Sequence, residues 1–273
     1  MLVNNEGEDK IKRALCRIKP RHVIISCLMY LIICMIAIVL FDIYNVAGVR
    51  SFLEASDLEK PRVWFHIFNE QGPTEMLQWL LLSLTTLISV FISGRLMEKR
   101  NYRLGYFWYL IGILTLILLL EDGANVSHKF QEYMSYIAPE SIFDSRFIVY
   151  SIYMIIAIVP LIKYGKDLYY YRTSFTYLIT GYFVYGFAGF ISVFLGLLGI
   201  SRAPVGNYII YNLLNGKLLY PYPRFHDAMI GEIFMDTVVE ESIELFATCL
   251  LLCSILSFVH EHYNDQINGN RMN

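Results

Sequence analysis

Six acidic residues stand at the ends of three apolar segments, where carboxylates can move protons or hold a cation. Glu75 follows Thr74 at the start of the run 74–93, and Glu121 and Asp122 close the run 105–120. Glu240, Glu241 and Glu244 enter the run 238–259. At the rim of a hydrocarbon layer a carboxylate loses solvation, and moving it to the middle costs ~2.5–3.5 kcal/mol. A group of them needs protons, a basic partner or a cation. On a helical wheel Glu241, Glu244 and Thr248 lie within about 60°, with Thr237 beside them, while Glu240 points roughly 70° away. Glu75 and Gln78 share a stripe that continues through Thr85 and Ser89. Glu121, Asn125 and His128 fall on one face if their segment continues as a helix through Gly123.

The pattern predicts one shared site built from Glu75, Glu121, His128, Glu241 and Glu244, as metal ligands or as acid/base groups. Oxygen donors suit Ca²⁺, Mg²⁺ or Mn²⁺, and a histidine among them also admits Zn²⁺ or iron. His128 is the leading nitrogen ligand, and His66 and His226 stand on the same side. Glu241-x-x-Glu244 resembles half of a carboxylate metal motif, without the Glu-x-x-His pair of di-iron bundles. A separate-roles reading competes. Arg202, Arg224, Lys129 and Arg146 are available as ion-pair partners. Glu75 and Glu240 near helix N-termini would each gain ~0.3–1 kcal/mol from the helix dipole.

The elements that position these acids follow from hydropathy. Of 273 residues, 56% are apolar and 17% charged, and the mean hydropathy of +0.47 is too high for an ordinary globular domain. Nearly uncharged runs recur at 22–41, 74–93, 105–120, 147–162, 176–200 and 238–259. Crossing a core ~30 Å thick takes about 20 helical residues. Lipid also forbids unpaired backbone groups. The expected fold is therefore an all-α, polytopic six-transmembrane-helix bundle. No alternation of the kind a membrane β-barrel needs is present.

Orientation is read from the basic residues. Fourteen of the 22 lie in the first 21 residues, in the segments holding Arg95 to Arg103 and Lys163 to Arg172, and at Arg271. The positive-inside rule makes that side cytoplasmic, both termini included. The other side carries 17 of the 24 acids. The expected organisation is a basic segment 1–21, a transmembrane domain 22–262 with outer segments 43–73, 121–146 and 201–237, and a tail 263–273. The first apolar run is too long for a cleavable signal. The expected location is the plasma (inner) membrane, with the acids extracytoplasmic.

Other features are read as structural. Cys249 and Cys253, one turn apart without nearby histidines, are packing residues. Residues 123–138 extend the third helix until Pro139, and residues 226–237 extend the sixth upstream, with a capping box Thr237-x-x-Glu240 as an alternative start. Ala188, Ser192 and Gly196, spaced by four, form a small-residue stripe for packing within the bundle, onto another copy, or onto a partner membrane protein. The glutamate order resembles, in outline, the Abi/CAAX-type and PrsW-type glutamate intramembrane proteases. The chain departs from that pattern: Glu240-Glu241-Ser242-Ile243-Glu244-Leu245 has no basic residue after the pair, and no intramembrane histidine faces it. No family or residue role is carried over.

No glycine-rich phosphate loop, C-x-x-C or H-E-x-x-H occurs, and nothing points to a nucleic acid. The leading expectation is a membrane-embedded hydrolase or transferase acting on a lipid or lipid-linked substrate. A cation or solute transporter using the same acids and a non-catalytic subunit are the alternatives.

Overall fold

The computed structural model describes residues 15–56, 62–137, 146–197, 200–213 and 227–267, and its regular structure there is entirely helical. Five segments among them are long and apolar enough to cross a membrane: Pro20–Ile43, Val63–Glu98, Tyr102–Ala124, Ile148–Tyr169 and Ile230–Tyr263. Such segments mark an integral membrane protein. The apolar run 176–200 falls largely within a further helix of 26 residues, Arg172–Leu197.

In chain order the helices are α1 (Pro20–Ala37), α2 (Val49–Ala55), α3 (Val63–Phe68), α4 (Pro73–Glu98), α5 (Tyr102–Ala124) and α6 (Val126–Ile137). There follow α7 (Arg146–Tyr169), α8 (Arg172–Leu197), α9 (Ala203–Tyr208), α10 (Asp227–Phe234) and α11 (Glu241–Ile267). Helices α4, α5, α7, α8 and α11 form a closed ring, each packed on the next, with α11 returning to α4. Helix α1 lies outside it, against α11.

Hydropathy alone does not decide which helix is central. Pro20–Ile43 is the more apolar span, yet 17% of its apolar 18-residue stretch is buried, against 78% of the corresponding stretch of Ile230–Tyr263. Lipid tails are as apolar as leucine, so helices associate through close packing and polar contacts. Helix α11 offers Ala247, Thr248, Cys249, Cys253, Ser254 and Ser257, all buried. Ser254 Oγ donates to the Ser174 carbonyl of α8 at 2.9 Å. Gly181 of α8 lets Leu251 approach so closely that a Cβ there would lie 2.9 Å from its Cδ2. The four cysteines Cys27, Cys34, Cys249 and Cys253 are free and buried, as expected of packing residues.

Two local expectations change. Residues 123–138 do not prolong α5 as one straight rod, because Asn125 adopts a left-handed conformation (φ 48°, ψ 49°) and α6 starts afresh at Val126. An asparagine tolerates that conformation and so ends the helix where Gly123 does not. The capping box at Thr237 does not form either. Phe234 is helical, and a π-helical turn, Met235–Glu240, joins α10 to α11 without a side-chain cap. The upstream extension of the last helix is thus the one realised.

The half of the ring bearing the basic residues is filled. Trp108, Phe107, Tyr171, Leu168 and Phe258 are fully buried there. Phe258 packs against Trp108 with its ring tilted and against Tyr171 edge-on, at centroid distances of 5.0 and 4.6 Å. Tyr171 Oη also pairs with His262 Nδ1 at 2.7 Å.

Candidate functional site

The acidic half of the ring encloses a cavity of about 940 Å³. Eight acids line it, Glu70, Glu75, Glu121, Asp122, Asp236, Glu240, Glu241 and Glu244, and among its lining residues the basic side chain is Arg202. All four predicted carboxylates, Glu75, Glu121, Glu241 and Glu244, line this space, but their roles differ.

The centre is organised by a neutral residue. Gln78, fully buried on α4, donates from Nε2 to Asp122 Oδ2 of α5 at 2.5 Å and to Glu244 Oε2 of α11 at 3.1 Å. One amide therefore ties three helices. The two acceptor oxygens flank a single nitrogen, less than about 6 Å apart. Two full charges there repel by about 3 kcal/mol at an effective dielectric near 20. The pair is stable with a proton or a cation nearby, and Gln78 alone cannot supply that charge. Gln78 Oε1 and Glu241 Oε2 are buried acceptors with no hydrogen-bond partner. Such orphans are few in native proteins and each calls for a reason.

The remaining acids are engaged at the rim. Glu75, buried in the first turn of α4, accepts the backbone N–H of Gln71. Glu121 accepts the Ser127 N–H at 3.2 Å and the Tyr153 hydroxyl at 2.8 Å, so it braces α5 against α6 and α7. Glu240 pairs with Arg202 at 2.7 Å, and Asp236 binds the same guanidinium. Asp42, outside the cavity, accepts the N–H groups of Val63 and Trp64 at 2.9 and 3.0 Å and caps α3. The separate-roles reading thus fits Glu240 and much of Glu121, and the shared-site reading fits Glu241, Glu244 and Asp122.

The predicted site names Glu121, and it is the neighbouring Asp122 that bonds to Gln78, although both line the cavity. The signal was available. Asp122 continues the stripe Ile111, Thr115 and Leu118, all buried, whereas Glu121 follows the half-buried Ile113 and Ile117. Helical neighbours differ by about 100°, so adjacent acids cannot share a direction. Four tyrosines were also missed. Tyr150 and Tyr153 on α7 and Tyr182 and Tyr185 on α8 line the cavity, each pair at the i, i+3 spacing that shares a helix face.

The side chain of His128, and all of His226, lie outside the described residues, as do the side chains of Ser192 and Gly196. His66 sits on α3 and is not among the cavity residues. Ala188 is buried within the chain. Among the described residues no three His, Cys, Asp or Glu side chains gather closely enough to hold a metal ion.

Toward the basic end the cavity changes character. Its lower walls are Leu114, Leu118, Met154, Ala157, Ile158, Leu161, Ile179 and Phe183. Met154, Ile158, Phe183 and Phe187 are at the same time exposed on the bundle surface, so the apolar part opens sideways between α7 and α8. The expected polar continuation inward does not line it. Thr85 and Thr248 are buried and bond to their own helices at Leu81 and Leu245, both at 2.8 Å. No protein-family model matches the chain, and no curated protein or solved structure matches it either.

Proposed function

We propose that this protein is a membrane-embedded enzyme acting on a lipid or lipid-linked substrate at the face where its acids lie. The observation that carries the reading is the two-part cavity, polar and acidic at one end, apolar and laterally open at the other. An amphiphile held in a bilayer has the same two-part character, and a side opening admits it without leaving the lipid. Asp122, Glu241 and Glu244 are the proton donors and acceptors of this proposal, Glu75 and Glu121 shape the rim, and His128 is the proton shuttle it assigns. Buried carboxylates are suited to acid–base work because their surroundings separate their proton affinities. The packed aromatic half favours this reading over the transporter, which needs a path through both faces.

A divalent cation (Ca²⁺, Mg²⁺, Mn²⁺ or Zn²⁺) on the same carboxylates would make the enzyme a metal-dependent hydrolase or transferase. The proposed setting has six membrane spans, with Arg172–Leu197 as the fifth, both termini cytoplasmic and the cavity facing outward from the plasma membrane.

Two experiments test these statements. Reconstituted protein incubated with a total membrane lipid extract should generate a new lipid species by mass spectrometry, and Asp122→Asn should abolish it. Solute flux without lipid turnover would favour the transporter. Cysteines placed at Glu54 and Ser135 should react with an impermeant thiol reagent from outside, and those at Arg103 and Lys166 should not. The reverse pattern inverts the orientation.

A further inference from the structure

We infer that the cavity selects an amphiphile with a primary ammonium headgroup, its single chain leaving between α7 and α8. The inference rests on the lipid reading above and adds the headgroup chemistry and the route of the chain.

Three independent observations converge. The first is charge. The acids of the cavity outnumber its arginine, and that arginine is already held by Asp236 and Glu240. A phosphate or carboxylate head would meet the like charges of α4, α5 and α11, whereas a cation supplies what Asp122 and Glu244 lack. The second is an unpartnered acceptor. Glu241 lines the cavity, and its Oε2 is buried and receives no donor. A primary ammonium brings three N–H donors, while a quaternary ammonium brings none. The third is aromatic. Tyr150, Tyr153, Tyr182 and Tyr185 line the same space, and aromatic rings within reach attract a cation.

The chain route follows from the wall of α8. Gly186 lines the cavity, and a Cβ built there meets nothing within 4 Å. The cavity residues run from Asp122 to Leu114 on α5 and from Tyr150 to Leu161 on α7, about 12–17 Å at 1.5 Å of rise per residue. That length accommodates an extended alkyl chain, and the exposed Ile158 and Phe183 mark its open side. Because a Cβ at Gly186 meets nothing within 4 Å, a large side chain can start there without displacing a neighbour and extend into the groove.

The test uses the full chain purified in detergent and measures retention of hexadecylamine, hexadecanol and hexadecyl phosphate by equilibrium binding. Hexadecylamine should be retained at one per chain and at least tenfold more tightly than the other two. The double variant Asp122→Asn, Glu244→Gln should weaken amine retention at least tenfold and narrow the preference over the alcohol. Gly186→Trp should weaken retention of all three probes while thermal stability stays within a few degrees of wild type. Equal or tighter retention of hexadecyl phosphate overturns the ammonium headgroup and leaves the lipid reading standing. Undiminished retention by Gly186→Trp overturns the route between α7 and α8. Failure to retain any of the three removes the lipid reading together with this inference.

Discussion

The two halves of the helical ring are built from the same five helices and solve opposite problems. In the basic half Trp108, Phe258 and Tyr171 meet ring against ring, and Tyr171 finds a partner in His262. In the acidic half the same helices stand around an open space, with carboxylates sharing one glutamine and two acceptors left unpaired. Dispersion and shape hold the first together, and that packing is strong enough to keep charged groups close in the second. A protein keeps such an electrostatic cost where the group is needed for function, which is the usual trade between stability and activity. The comparison teaches where to look: the poorly satisfied half is the working half.

The comparison breaks most readily if truncation in the filled half disturbs the open one. Phe258→Ala removes a fully buried ring from the contact with Trp108 and Tyr171. It should cost about 3–5 kcal/mol, as ring-to-alanine changes do in packed interiors. The folded fraction should retain hexadecylamine as wild type does. Denaturant titration with binding on the same samples reads both numbers, and a matching loss of retention would show the halves to be one unit.

A smaller effect should carry the opposite sign. Glu241→Gln keeps the shape of a side chain whose Oε2 is buried without a partner and removes its charge. Stability should rise by about 1 kcal/mol, because an unpaired buried acid is costly and its neutral isostere less so. Lipid turnover should fall at the same time. A loss of stability instead would mean that Glu241 has a structural partner and belongs with the rim acids.

The smallest effect concerns the seam of α8 and α11. Ser254→Ala deletes the donor to the Ser174 carbonyl. Interhelical hydrogen bonds of this kind average about 0.6 kcal/mol in membrane proteins. Thermal melting should register that shift, with amine retention unchanged. A several-fold larger cost would place the seam among the contacts that define the ring.

Hydropathy and length determined much about this protein on their own. Runs near twenty apolar residues in a slab without hydrogen-bonding solvent have one common solution, so the helical membrane class and the helix positions were legible. The convergence of acids from α4, α5 and α11 was also legible, because alternating run directions bring the start of α4, the end of α5 and the start of α11 to one side. Tertiary structure decided which helices neighbour one another, since lipid gives no preference to the most apolar span and α11, not α1, came to the centre. It decided between Glu121 and Asp122, because a rotation of one residue about the helix axis sends two adjacent acids to different neighbours. The left-handed Asn125 ended a helix that composition allowed to continue, and a π-turn replaced the capping box at Thr237. The role of Gln78 belonged wholly to the tertiary level. An amide is unremarkable in sequence, and it became the link of three helices only when Asp122 and Glu244 closed around it.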